Sequence, residues 1–285
     1  MAGPSATSRD DLTIDLDEAR AVLAGAARRS AELLRSTPDA TRPVRRSQWT
    51  VAEVGAHLSA GLWGFAEAVG GNPGVVDPYL RTGTFAERLA AVTAGTLELE
   101  PTRDPRALAE RIAERTERFL AESARRAGTD RVATPWYGEG ASLSLAAATG
   151  LLAGEQLVHG WDVAMTLGRP WPISPAEAAL IIRTITSLLP LAADPAATAR
   201  LRATYGVTAR KTGPRFVVAV DRGAVAVEAW GARPVDCHLS ADPVTFVLVG
   251  YGRIGQWGPI ARGGLRAWGR RPWLALRFTN LFFNP

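Results

Sequence analysis

The chain has 285 residues, 47% hydrophobic and 21% charged, with a net charge of +5 carried almost wholly by arginine; Lys211 is the single lysine. That balance excludes disorder as the default state and is long enough for two cores. The lone cysteine, Cys237, rules out an intrachain disulfide and a cysteine-rich zinc site, and no apolar run reaches the roughly 18 residues of a membrane-spanning helix.

Leucine and alanine at helical spacing predict an amphipathic helix over 16–36, behind a mobile tail of about ten residues. Thr50-Val-Ala-Glu53 is a capping box, and the helix it opens runs to Gly70 and Gly71. A third helix spans 84–99. Asp104-Pro105, a cap followed by proline at the first helical position, opens a fourth that continues through 126. After a loop over 133–140, a helix rich in small residues spans 142–167 and stops at Gly168. Ser174-Pro175-Ala-Glu177 opens another with a second capping box. Antiparallel helices with alanine- and glycine-rich faces describe a bundle over 14–195. Beyond 192–200 the period changes to two, giving strands over 216–221, 224–230 and 235–241, with Arg222-Gly223 as a tight turn. Asp242-Pro243 then opens a short apolar helix over 244–253, and residues 205–285 are expected to form a small α+β domain.

The chemistry concentrates in GEQLVHGWDVA (154–164) and WTVAEVGAHLSA (49–60). A single helical histidine is ordinarily a half-buried polar residue, and a single glutamate is ordinarily on the surface. Glu155 and His159 differ by placement: at i and i+4 they share one helix face, the geometry of a two-toothed metal clamp. Ala148, Leu151 and Leu152 lie on the same stripe and are apolar, so Glu155 is expected to face the bundle core, where an ionised carboxylate needs a counter-charge. His57, at the margin of a second apolar stripe, is the candidate third ligand. Two imidazoles and a carboxylate suit zinc, and also iron or nickel; three protein ligands leave an open position, the mark of a catalytic site. Asp162 either orients an imidazole or is a plain hydrogen-bonding residue. Trp136 and Trp161 read as packing. Cys237 and His238 are neighbours on a strand and face opposite sides, so they cannot chelate together. The arginine clusters at Arg42, Arg45, Arg46 and at Arg270, Arg271 read as solvated surface, and no nucleic-acid groove is legible, though a positive field would draw in an anionic substrate.

QWTVAEVGAHL (48–58), TPWYGEG (134–140) and GEQLVHGWDVAMTLGRPW (154–171) resemble the mycothiol-dependent maleylpyruvate isomerase family, which belongs to the DinB-like metal-binding bundles of actinobacteria. DCHLSADPVTFVLVGYGR (236–253) is similar to the sterol-carrier-like domain that follows the bundle in many members. The resemblance implies a mostly α fold, an antiparallel DinB-like helical bundle followed by a small α+β sterol-carrier-like domain. It also implies a zinc held by His57, Glu155 and His159, with mycothiol bound at the open position as thiolate. The implied reaction is thiolate addition to a small electrophile, as isomerase or S-transferase, with an arginine of the second domain holding a dicarboxylate. Arg253 is the first candidate for that arginine and Arg266 the second. A cytoplasmic monomer or homodimer with no membrane or nucleic-acid partner is expected; the polar, acidic first dozen residues lack a signal-peptide core. The alternatives are an apolar-ligand carrier, built on Phe246–Val249 and LALRFTNLFF (274–283), or a metal-binding protein without catalysis.

Overall fold

The computed structural model describes residues 12–283 apart from Thr212, so the tail expected over the first ten residues lies outside them. Helix starts follow the sequence chemistry closely. Asp15 accepts from the amides of Asp17 and Glu18 to open α1 (Leu16–Arg35), and the Thr50–Glu53 capping box opens α2 (Val51–Val69). After a 3-10 turn over Pro73–Tyr79, Thr84 and Glu87 form a further capping box for α3 (Phe85–Leu99). Asp104 caps α4 (Pro105–Ser123). Then come two short strands, β1 (Arg131–Ala133) and β2 (Ser142–Ser144), paired antiparallel, and α5 (Leu145–Leu167). Gly168 ends α5 in the left-handed conformation, φ 68°, which glycine adopts without a Cβ clash. The Ser174–Glu177 box opens α6 (Pro175–Thr186).

α1 packs on α4 and α5, α2 packs on α4 and α5, and α3 lies against α2. Leu23, Leu62, Leu108, Ile112, Phe119 and Leu152 are fully buried between these helices. After one turn of helix, α7 (Pro195–Thr198), the chain forms β3 (Arg202–Ala209), β4 (Arg215–Asp221), β5 (Ala224–Ala229), β6 (Cys237–Ala241), α8 (Pro243–Gly250), α9 (Trp257–Ala261) and β7 (Leu265–Trp268), and closes in a 3-10 stretch over Pro272–Leu281. The strands form one sheet in the order β5-β4-β3-β6-β7, antiparallel except for the β3–β6 pair. A second apolar cluster joins Tyr205, Phe216, Val218 and Leu239 of the sheet to Ile181 and Ile182 of α6 and to Phe278. The mostly α architecture with an α+β C-terminal half is therefore as expected.

Several elements differ from the sequence reading. The helix expected from 142 begins at Leu145, because 142–144 is spent on pairing with β1. The helix expected through 126 stops at Ser123. β3 and β7 were not anticipated. RATYGVTA carries alanine and glycine, which are depleted in strands; its extended form comes from hydrogen bonding on both sides, to β4 and β6. The Arg222-Gly223 turn is present, with φ of 50° and 96°, the two positive values of a type I′ hairpin.

Glu100, fully buried at the end of α3, ties three helices together. Its carboxylate pairs with Arg111 and Arg115 of α4, and Arg115 also donates to the Ser59 hydroxyl of α2. Burial raises the Glu100 pKa, but Arg111, Thr102 and Arg115 outweigh it and the net shift is downward. A lowered folded-state pKa contributes stability that is complete above the ordinary glutamate range and is lost as pH falls through the folded value. Glu100→Gln is expected to cost about 2 kcal/mol at pH 7 in chemical denaturation. It is also expected to flatten the acid limb of the stability curve; a variant whose acid limb matches the wild type would remove Glu100 from this role.

Candidate metal centre

The three predicted ligands come together. His57 on α2 and Glu155 and His159 on α5 each present one ligand atom, and these atoms all lie within 4.8 Å of one another. Glu155 Oε2 is 3.2 Å from His57 Nε2 and 3.3 Å from His159 Nε2. Tetrahedral coordination with bonds of about 2.0–2.2 Å places neighbouring ligand atoms about 3.4 Å apart, so the donor set fits a divalent ion with little movement.

The other ring nitrogens explain why both Nε2 atoms are ligand-ready. Thr96 of α3 lies 3.1 Å from His57 Nδ1 and 2.6 Å from the Thr93 carbonyl. The shorter contact takes the threonine proton, which leaves its oxygen to accept from His57 Nδ1–H. Asp162 Oδ2, further along α5 and 3.3 Å from His159 Nδ1, does the same for the second ring. With Nδ1 protonated in each ring, two imidazole lone pairs and a carboxylate oxygen are aimed at one point. Three acceptors facing each other repel unless a cation or extra protons lie among them.

Without an ion, a proton on His159 takes the place of the cation, and a bound metal would displace it. Burial holds the His57 pKa below its ordinary value, so that ring is neutral at pH 7. Burial also works against a charged His159, but Asp162 and Glu155 outweigh it and raise the group to about 9. Burial works against the Glu155 carboxylate as well; the two imidazoles overcome it and hold its pKa far below the usual range. Burial likewise opposes ionised Asp162, which His159 and Arg253 keep charged. Arg253, in the loop after α8, reaches back to Asp162 with Nε at 3.0 Å and Nη2 at 2.7 Å, and its Nη1 donates to the Tyr251 carbonyl. One chain of contacts thus runs Glu155–His159–Asp162–Arg253, from the bundle to the C-terminal half.

The chain matches the family described as mycothiol maleylpyruvate isomerase N-terminal domain over residues 5–164. It belongs to that family. A solved mycothiol-dependent maleylpyruvate isomerase is 12% identical and superposes with a TM-score of 0.51, covering 89% of this chain and 93% of its own. A histidine-to-alanine mutant of such an enzyme gives 11% and 0.53 at the same coverage. At that identity the likeness speaks for the fold. No curated protein sequence matches the chain. No helix among the described residues is long and apolar enough to cross a membrane.

Within this member of the mycothiol maleylpyruvate isomerase family, a cavity of about 730 Å³ opens beside His159, Asp162 and Arg253. Trp161 lines it, whereas Trp136 packs in the core against Phe65. Arg45 and Arg46, expected as plain solvated surface, also line it, and Arg46 donates to the Gly252 and Arg253 carbonyls. Arg266 lies elsewhere, lining a separate apolar cavity and donating to the Gly263 carbonyl. Cys237 is buried and His238 stacks on Trp268, on opposite faces of β6 as expected. Thr96 and Tyr251 are site residues that the sequence reading does not pick out. Burial pushes the Tyr137 and Tyr251 phenols up and the Glu155 charge adds to it; Tyr251 lines this cavity, whereas Tyr137 stacks on Phe85 in the core. Tyr137 and Tyr251 stand in the TPWYGEG and YGR motifs, but nothing in their spacing shows which way a phenol faces.

Glu155→Gln keeps the shape and removes the charge, so metal content of the purified protein is expected to fall to background while the fold is retained. Asp162→Asn is expected to weaken metal affinity about 10- to 100-fold in a competition titration. Unchanged affinity would reduce Asp162 to an ion-pair partner of Arg253.

Proposed function

We propose that the chain is a cytoplasmic metal- and thiol-dependent enzyme. A divalent ion, zinc best matching two imidazoles and a carboxylate, would be held by His57, Glu155 and His159. The observation carrying this reading is the convergence of two Nε2 lone pairs and one carboxylate oxygen on a single point, with both Nδ1 atoms occupied elsewhere. The bound ion would supply one thing, a lowered pKa for a coordinated thiol, so that the thiol is a nucleophile at neutral pH. Family membership supports mycothiol as the thiol and a small conjugated electrophile, with maleylpyruvate as the first to test, as the substrate.

In that reaction the thiolate sulfur bonds to one carbon of the double bond and the π pair moves to the conjugated carbonyl oxygen. The former double bond rotates as a single bond. Return of the pair expels the thiolate and leaves the trans product, with no net change in atoms or electrons. The chain's own groups serve this sequence by position. Asp162 and Thr96 fix the two rings, and Arg253 holds Asp162 ionised. Tyr251 lines the cavity and burial keeps its phenol protonated, a neutral donor suited to an oxygen that gains charge. An electrophile that keeps the sulfur would make the same site an S-transferase.

A second reading rests on the other cavity, about 430 Å³ between the sheet, α6, α8 and the 3-10 stretch, with an apolar lining. Such a space suits an apolar ligand and supports a carrier role for the C-terminal half. Zinc-loaded protein is expected to isomerise maleylpyruvate only with mycothiol present, and His57→Ala and His159→Ala are each expected to lower that rate at least a hundredfold. Full activity in the metal-free double variant would end the enzymatic reading. A lipid extracted in stoichiometric amount from inactive, metal-free protein would establish the carrier.

A further inference from the structure

Three guanidinium groups line the cavity beside the ligand cluster: Arg45, Arg46 and Arg253. They are not equivalent. Arg253 has Nε and Nη2 on Asp162 and Nη1 on a carbonyl, and the carboxylate it holds is what orients His159. Turning it toward a substrate would strip Asp162, itself buried, of its arginine partner. Arg46 is tethered to two carbonyls of the loop that carries Arg253. The Arg45 side chain is exposed and makes no hydrogen bond or ion pair among the described residues, which leaves all five of its donors available.

Its backbone, by contrast, is fixed. The Arg45 amide donates to the Thr166 hydroxyl of α5 at 3.3 Å. On either side, Val44 N–H bonds the Trp49 carbonyl and Ser47 N–H bonds the Val44 carbonyl. Arg46 itself stands at φ 60°, a left-handed conformation that costs a non-glycine residue about 1–2 kcal/mol. Strain retained at a cavity wall, beside a free cation on an anchored backbone, is the pattern of a binding loop. The charge balance points the same way. Asp162 is the one acid among the residues lining this cavity, and Arg253 already neutralises it, so Arg45 and Arg46 leave the wall positive.

We propose that Arg45 is the anion anchor of this cavity, taking a carboxylate of the electrophilic substrate in a paired, planar contact, while Arg253 is a positioning residue for Asp162 and His159. This assignment rests on the thiol-enzyme reading above and gives Arg45 the task that the family resemblance led us to expect of Arg253. A planar guanidinium with free donors matches a carboxylate bidentately, and a bare apolar electrophile would gain nothing from it.

The test compares an anionic with a neutral electrophile in the zinc-loaded full chain with mycothiol, using maleylpyruvate and acrylamide. Arg45→Ala is expected to raise KM for maleylpyruvate about 10- to 100-fold with kcat within about twofold. Its kcat/KM for acrylamide should be unchanged, and Arg45→Lys should fall between. Maleate, added without mycothiol so that no thiolate can add to it, is expected to raise the melting temperature of wild type and of Arg266→Ala but not of Arg45→Ala. Equal KM values for maleylpyruvate in wild type and Arg45→Ala, or a maleate shift that is absent from wild type or equal in both, overturns the assignment. Absence of thiol-dependent turnover of both electrophiles in the wild type is a different result: it overturns the enzymatic reading, and the maleate measurement still decides whether Arg45 binds anions.

Discussion

Glu155 Oε2 sits between two imidazole nitrogens at 3.2 and 3.3 Å, and the surrounding structure is organised around that contact. A carboxylate partly withdrawn from water at this depth is costly without a cation. α2 carries His57 and α5 carries Glu155 and His159, and the packing of these two helices brings the three groups together. On its other side α2 presses closely on α1 and α4: a Cβ at Gly55 would stand 3.1 Å from a Leu34 methyl and 3.2 Å from a Leu108 methyl. α3 contributes the hydroxyl that fixes His57, and Glu100 at its end locks α3 to α4 by ion pairs.

The C-terminal half belongs to the same arrangement. Asp162 lies next to the bundle surface, and Arg253 reaches it from the loop after α8 through two guanidinium nitrogens. That loop is in turn gripped by Arg46 from the segment between α1 and α2. Three stretches far apart in the chain, 44–49, 159–162 and 251–254, therefore form one wall beside the His57–Glu155–His159 group. Asp162 joins this wall to His159, so the sheet half is in contact with the candidate metal centre.

The two cavities share Tyr251. Its phenol feels the Glu155 charge, while its ring lines the apolar space behind it. Around the outer side of that space stand Trp257, Ile260, Trp273 and Leu276, four of the six large apolar side chains exposed among the described residues.

Local chemistry determined much of this in advance. Capping boxes at Thr50 and Ser174, the Asp104-Pro105 start and the Gly168 stop are contacts between residues a few positions apart, so the chain alone specifies them. The i, i+4 spacing of Glu155 and His159 is likewise a property of one helix. Tertiary structure decided what depends on distant partners. β3 is a strand because β4 and β6 flank it, and the tautomers of His57 and His159 follow from Thr96 and Asp162. The roles of Arg45 and Arg253 diverge only because Asp162 lies within reach of one of them. Charge and spacing name a residue's capacities; which of those capacities is already engaged depends on neighbours that the fold alone brings near.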